Sequence, residues 1–301
     1  MTGLPEQLQS IASDSSVTDI LVNNGTEVWF ERCGELHRSS DLPRGVIDTH
    51  LERILSPLGR RLDRLSPMVD ARLADGTRVC AVIPPIAVTG TCAAFRLFRQ
   101  KTHSLDSFTD SPDALRELQC CDGNILVTGS TGSGKTSLVA SLLARCPATE
   151  RVVVIEDTHE LPLRSGHAVR LEARPANAEG RGSVSLDDLL RTALRLRPDR
   201  IVVGEIRGPE ALTFVHAMNT GHTGSMSTVH ANSALDGLRR VELLVSQASP
   251  QWKTDDVRRV VASAVRTVVH LERTGDGRRV IDHIVRVDDD HVPRVVHRRA
   301  T

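Results

Sequence analysis

The sequence contains no tyrosine, and only 2% of its 301 residues are aromatic. Because single-stranded nucleic acid binds proteins largely by stacking its bases on aromatic rings, this scarcity argues against such a ligand. Lys+Arg and Asp+Glu both number 38, so the formal net charge is zero and no general attraction to polyanions is expected. We therefore expect no nucleic acid among the partners.

The sequence also lacks long hydrophobic runs and paired cysteines. No stretch approaches the roughly 18 consecutive apolar residues of a membrane helix, and no basic segment precedes an apolar one at the N-terminus. The six cysteines form no C-x-x-C pair, which argues against a zinc ribbon or a disulfide framework. These absences predict a cytoplasmic protein with reduced thiols.

The pattern of apolar residues divides the chain into two regions. Alternation on both sides of Asn23-Asn24-Gly25 predicts a β-hairpin, and residues 44–62 carry apolar side chains at helical spacing. From residue 124, short apolar strands alternate with helical segments, which is typical of a parallel sheet covered on both faces. We predict an α/β protein with a small α+β domain over 1–100, a polar linker over 101–122 and a second domain with a parallel-rich sheet over 123–301.

Residues 129–136 read G-S-T-G-S-G-K-T, the pattern of a phosphate-binding loop, and lie between an apolar strand and a helical segment. Glycines let backbone N–H groups turn toward phosphate oxygens, and the helix N-terminus adds a positive dipole. Lys135 can reach the β- and γ-phosphates, and Thr136 can hold Mg²⁺. The residues predicted to bind the nucleotide are Gly129, Ser130, Thr131, Gly132, Ser133, Gly134, Lys135, Thr136 and Ser137. The chain has neither N-K-x-D nor D-x-x-G, so we set a GTPase aside.

Acidic residues follow two of the later apolar strands. Glu156 follows R-V-V-V-I, and Glu205 follows I-V-V-G. Because the carboxyl ends of parallel strands form the crevice where α/β sheets bind ligands, either carboxylate can orient an attacking water or a metal-bound water. The segment T-G-H-T-G-S-M-S-T-V-H-A-N contains His222 and His230, which we predict to sense the γ-phosphate by hydrogen bonding.

Four motifs in this order resemble the secretion ATPase superfamily of type II secretion, type IV secretion and type IV pilus motors. They are the phosphate loop, I-E-D-T-H-E-L, L-R-L-R-P-D-R-I-V-V-G-E-I-R-G and A-M-N-T-G-H-T-G-S-M-S-T-V-H-A-N. Their sequences most resemble those of the tight-adherence (Tad/Flp) pilus branch. The resemblance covers nearly the whole chain. It implies a RecA-like P-loop core with Walker A at 129–136, an Asp box at 156–160, Walker B at Glu205 and a His box at 222–230. The four-cysteine zinc element of many type II and pilus-extension members is absent.

The resemblance also implies an activity and partners. It implies a homohexamer that hydrolyses Mg-ATP at the inner face of the cytoplasmic membrane and powers pilus assembly or protein secretion through an inner-membrane platform protein. Glu156 is then the favoured general base, Glu205 lies near the water bound to Mg²⁺, and His230 reports loss of the γ-phosphate. Which glutamate has which role stays open.

An arginine of the N-terminal domain is implied to reach the nucleotide. Arg96 is the first candidate, followed by Arg72, Arg78 and Arg99 of the same domain, and Arg207 of the second domain is a further candidate. Two alternative functions remain. One is a nucleic-acid translocase with Arg191, Arg195 and Arg197 facing a pore, and the other is a nucleotide-binding scaffold subunit with little turnover.

Overall fold

The computed structural model describes residues 4–98, 103–119, 123–162, 166–176 and 180–299. The chain forms two units, each with its own core. Unit 1 comprises Met1–Arg99 and Ala176–Ser183, and unit 2 comprises Gln100–Pro175 and Val184–Thr301.

The described residues of unit 1 form an antiparallel six-stranded sheet and two α-helices. The strands lie in the order β3-β2-β1-β6-β5-β4, and alternate strand residues such as Ile20 and Val22 are buried with apolar residues of both helices. The predicted hairpin is present, with Asn24 and Gly25 at positive φ in its turn. The elements are α1 Glu6–Ser13, β1 Val17–Asn23, β2 Glu27–Arg32, β3 Glu35–Arg38, α2 Val46–Leu55, β4 Met68–Arg72, β5 Arg78–Val82 and β6 Cys92–Arg96.

Unit 2 contains an eight-stranded sheet in the order β14-β13-β12-β7-β11-β10-β8-β9. Six neighbouring strands are parallel, namely β12, β7, β11, β10, β8 and β9. Strands β13 and β14 extend the sheet beyond β12 in antiparallel orientation. This confirms the predicted α/β class with a parallel-rich sheet. The strands are β7 Ile125–Gly129, β8 Val152–Glu156, β9 Ala168–Glu172, β10 Arg200–Val203, β11 Met226–His230, β12 Thr267–Arg273, β13 Arg279–Val287 and β14 Pro293–Arg298.

Helices cover both faces of this sheet. On β7, Leu126 packs in one core while Ile125 and Val127 pack in the other, so the strand is apolar along its whole length. Helices α5 to α8 contribute to the first core, and α3 and α4 contribute to the second. The helices are α3 Pro112–Gln119, α4 Lys135–Leu143, α5 Leu186–Ala193, α6 Glu210–Asn219, α7 Ala234–Ala248 and α8 Thr254–Ala264. Over the described ranges, no helix combines the length and apolar character that crossing a membrane requires.

The segment predicted as a linker over 101–122 is folded where the structure describes it. Residues 103–119 form a short 3₁₀ helix, Leu105–Phe108, and helix α3. Phe108 and Leu118 are buried in the second core of unit 2 together with residues of α4. The polar composition concealed these few apolar contacts, which attach the segment to the phosphate-loop region.

Replacing Phe108 with alanine tests this attachment. The side chain is 1% exposed, and truncating a buried phenylalanine costs about 3 to 5 kcal/mol. We expect the free energy of unfolding of unit 2 to fall by that amount in denaturant titration, and Leu243→Ala, at a side chain that is 56% exposed, to change it little. If Phe108→Ala has the same unfolding midpoint as the parent protein, residues 103–119 do not contribute to the core of unit 2 and act as a linker.

Candidate functional site

The phosphate loop joins the end of β7 to the start of α4, and its geometry requires glycine. Gly129, Gly132 and Gly134 have φ values of 149°, 73° and 97°. A Cβ atom at Gly129 would lie 2.5 Å from both Leu271 O and Ser133 Oγ, closer than any side chain tolerates. The loop can therefore turn sharply beside β12 only because this position has no side chain.

Lys135 folds back over the loop. Its Nζ atom donates to Gly129 O at 3.0 Å and to Ser130 O at 2.8 Å. Burial lowers the pKa of Lys135, and the nearby charge of Glu205 partly opposes that shift. The hydroxyl of Ser133 is buried and has no hydrogen-bond partner among the residues that the structure describes. A cationic amine, an unsatisfied hydroxyl and a helix N-terminus in one glycine loop fit a polyphosphate group.

Glu205 follows β10 and forms a two-pronged ion pair with Arg207. Arg207 Nε donates to Glu205 Oε1 at 2.9 Å, and Nη2 donates to Oε2 at 3.1 Å. Arg207 Nη1 also lies 3.6 Å from Asp157 Oδ2, which links the ends of β10 and β8. Burial raises the pKa of Glu205, but the hydrogen bond and charge of Arg207 and the charges of Lys135 and His230 outweigh it and lower the pKa overall. Glu205 is therefore ionised at neutral pH.

Glu156 is the last residue of β8, and its carboxylate is hydrogen-bonded by the loop that follows this strand. It is 4% exposed, its Oε1 accepts the backbone N–H groups of Glu160 and Leu161 at 2.9 Å each, and its Oε2 lies 3.1 Å from His159 Nδ1. A carboxylate offers about four lone-pair sites, and three are occupied here. The carboxylate therefore holds the Asp-box loop, and the role of Glu156 as general base stays a prediction. Sequence reasoning also missed the support of His159 by Arg170, whose Nη1 lies 2.6 Å from His159 Nε2.

His230 lies beside the phosphate loop. It ends β11, which runs parallel to β7 with His230 opposite Gly129. Its Nε2 atom is 3.4 Å from Thr131 Oγ1. Burial lowers the pKa of His230, and the charge of Lys135 lowers it further, so the ring is neutral at neutral pH. A neutral imidazole can accept or donate a hydrogen bond next to the phosphates.

His222 lies at the amino ends of the parallel strands, whereas His230 lies at their carboxyl ends. The two predicted sensor histidines are therefore not close together. It precedes β11, whereas the phosphate loop follows the parallel strand β7. Its Nδ1 atom is 3.0 Å from Ala217 O in the last turn of α6, and its carbonyl accepts the Ser225 hydroxyl at 2.7 Å. The two histidines are close in sequence, which suggested one common site, but the length of strand β11 separates them.

The candidate arginines of unit 1 form a row across its sheet. Arg72 is opposite Arg78, and Arg78 is opposite Arg96. Arg96 Nε donates to Asp19 Oδ1 at 3.0 Å. Arg99 lies outside the described residues, and contact of any of the four with a nucleotide stays a prediction. Thr136 stays the predicted Mg²⁺ ligand, in the first turn of α4 and followed by Ser137.

A buried histidine beneath the loop was not foreseen from the sequence. His270 on β12 is 3% exposed, and its Nδ1 atom is 2.8 Å from the hydroxyl of Thr128, the residue before the loop. Burial, assisted by the neighbouring His283, lowers the pKa of His270 to about 4. No motif marks this histidine, because only the strand pairing brings it under the loop.

Comparison with known proteins links this site to a family. A model of the family described as "Type II/IV secretion system protein" matches residues 6–292. A putative conjugal transfer protein of Mycobacterium tuberculosis is 36% identical over 292 residues, covering 92% of this chain and 82% of that protein. The type IV secretion system protein VirB11 of Bartonella quintana is 34% identical over 314 residues, covering 89% and 88%. The crystal structure of the VirB11 ATPase of Brucella suis with sulphate superposes with a TM-score of 0.50 at 26% identity and covers 93% of this chain and 92% of that one.

The two glutamates are expected to respond differently to amidation. Glu205→Gln keeps the size of the side chain but removes the charge near Lys135, so we expect turnover of ATP to fall at least about a hundredfold, with the melting temperature little changed. Glu156→Gln weakens the acceptor of two buried N–H groups, so we expect a lower melting temperature along with reduced turnover.

The two readouts separate the roles. If Glu156→Gln keeps the parental melting temperature while its turnover collapses, and Glu205→Gln stays active, Glu156 is the catalytic group and the assignment from geometry is wrong.

The low pKa of His270 predicts acid sensitivity. Between pH 6.5 and about 4 the unfolded chain binds a proton that the folded His270 does not bind, so the stability of unit 2 decreases as the pH falls through this range. Urea unfolding at about pH 7 and about pH 5 measures the loss, which is expected to be smaller in His270→Gln because glutamine does not titrate. Equal losses in the two proteins would show that His270 titrates normally.

Proposed function

Because the chain belongs to the family of type II/IV secretion system proteins and is an ATPase, we propose that it hydrolyses Mg-ATP at the phosphate loop to drive transport across the cell envelope. One observation carries this proposal. The phosphate loop, Glu205 and His230 all lie at the carboxyl edge of one parallel sheet, with Lys135 close enough to Glu205 for each to shift the pKa of the other. This is the edge at which α/β sheets bind nucleotides.

The roles of the residues follow from their charges. Lys135 leaves the loop carbonyls and stabilises negative charge on the β- and γ-phosphoryl oxygens. Glu205, ionised and beside Lys135, orients the attacking water, while Glu156 holds the Asp-box loop in place. His230 hydrogen-bonds at the γ-phosphate end and registers its loss. Thr136 directly and Glu205 through water would hold Mg²⁺, which would neutralise phosphate charge.

The assembly and its partners belong to the same proposal. We infer a homohexamer in which an arginine of unit 1, Arg96 first among the candidates, contributes to the nucleotide site. The motor would associate peripherally with the inner face of the cytoplasmic membrane and act on a platform protein that assembles pilin-like subunits or exports protein. The resemblance to the Tad/Flp branch favours pilus assembly, whereas the similarity to a conjugal transfer protein and to VirB11 favours conjugal transfer and type IV secretion.

Nucleic-acid translocation is less well supported by the contacts of unit 2. Arg191, one of the three arginines that could line a pore, forms an ion pair with Asp187, with Nε 2.9 Å from Oδ2 on the same helix. A paired arginine has less positive charge to offer a phosphate backbone. Stimulation of turnover by DNA, falling steeply with added salt, would reverse this preference.

Lysine replacement tests the proposed hydrolysis. Lys135→Ala removes the ammonium group from the loop, and we expect Mg-dependent ATP turnover to fall at least about a hundredfold. Lys253→Ala removes an exposed lysine before α8 and serves as the matched control with parental turnover expected. Parental turnover in Lys135→Ala would place hydrolysis at another site, and no turnover in the parent protein would favour the scaffold alternative.

A further inference from the structure

The residue before the phosphate loop contacts two other elements of unit 2. Thr128 is fully buried, and its hydroxyl lies 2.8 Å from Nδ1 of His270 on β12. Its methyl group lies against α7, since a Cβ atom at Gly237 would be 2.3 Å from Thr128 Cγ2. Helix α7 can therefore approach β7 this closely only at a glycine. A shift of the loop at Gly129 would therefore move Thr128 against both β12 and α7.

A second histidine continues this buried contact. His283 on β13 is directly opposite His270, and the two ring centroids are 5.0 Å apart. Its Nε2 atom accepts the backbone N–H of Ala234 at 3.1 Å. Because Nε2 accepts, the proton of the neutral ring is on Nδ1, which donates to Asp282 Oδ2 at 2.7 Å. Asp282 therefore fixes the tautomer in which His283 can bind the helix.

The contact at Ala234 fixes the start of α7. Ala234 is its first residue and is buried, and the hydroxyl of Ser233 accepts the N–H of Asp236 at 3.1 Å. Only residues 231–233 separate this helix start from His230, whose ring lies by Thr131. His230 and the phosphate loop are therefore both attached to one cluster, here called the histidine cluster, formed by the buried residues Thr128, His270 and His283 and the half-buried Asp282.

We propose that His283 is a positioning residue for ATP hydrolysis, which holds the start of α7, and through it His230, in register with the phosphate loop so that nucleotide binding is transmitted to α7. This inference rests on the proposed function. His283 acts through Ala234 and His270 and does not touch the nucleotide. A purely structural histidine would stabilise unit 2 without making α7 respond to nucleotide.

A pair of amide variants isolates the contact to Ala234. The side-chain oxygen of His283→Gln reaches about as far as Nε2 and can accept the N–H of Ala234, whereas the oxygen of His283→Asn stands near Nδ1 and is too short. The two variants share the same polar group, so both are expected to fold. His216→Leu, at an exposed histidine of α6, is the control for loss of a histidine elsewhere.

Hydrogen exchange of the amides of residues 234–236, with and without ADP, measures the coupling. We expect ADP to slow exchange about tenfold in the parent, in His283→Gln and in His216→Leu, and to have little effect in His283→Asn. We also expect His283→Asn to lower kcat about tenfold with KM near the parental value, because positioning at the transition state is lost while binding is kept.

The outcomes separate this inference from the proposed function. Equal protection by ADP in His283→Asn and the parent, or no protection in the parent, overturns the role of His283. A parent protein that shows the expected protection but does not hydrolyse ATP supports the coupling and overturns only the proposed hydrolysis.

Discussion

The parallel register of the central strands of unit 2 is the constraint on which the site depends. His230 is opposite Gly129 on β7, and Val203 is opposite Ile155 on β8, so these four strands end at one edge. The polar residues that follow these strands therefore lie close together, although they are far apart in the sequence. The apolar strands between two buried helix layers hold this register, because a shift of one residue would turn core side chains toward the wrong face.

The charges at this edge are balanced against one another. Lys135 is buried and would lose its proton more readily, but Glu205 opposes this, and Lys135 in turn helps to keep Glu205 ionised. Arg207 holds Glu205 with two hydrogen bonds and reaches Asp157. Because Glu205 is already held in place, only Lys135 has to exchange its loop carbonyls for phosphate oxygens when a phosphate enters, and such preorganised charge favours phosphoryl transfer. We therefore propose that Lys135 and Glu205 carry the chemistry and that Glu156 supports the Asp-box loop.

Much of the fold and part of the site could be predicted from the sequence. The phosphate loop, the strand before it and the acids after β8 and β10 are local patterns, and the hairpin at Asn24 is set by residues that tolerate positive φ. Apolar residues continue at helical spacing from Val257 to Val268, but α8 ends at Ala264 and Val268 lies on β12. Periodicity does not mark that boundary, where Val265 turns extended. The contact between Thr128 and His270 spans 142 residues and depends on the pairing of β7 with β12, which no local pattern encodes. The contacts of Glu156 are only three to five residues apart, but they depend on how the loop after β8 folds back, which residue type alone does not show.

The most direct test is a crystal structure of the protein with a nonhydrolysable ATP analogue and Mg²⁺. We expect the triphosphate to lie in the loop that precedes α4, with Lys135 Nζ moved from the loop carbonyls to phosphate oxygens and the Glu205 carboxylate facing the terminal phosphate. An analogue bound elsewhere, or a Glu205 carboxylate turned away from the terminal phosphate with Glu156 in its place, would contradict this expectation.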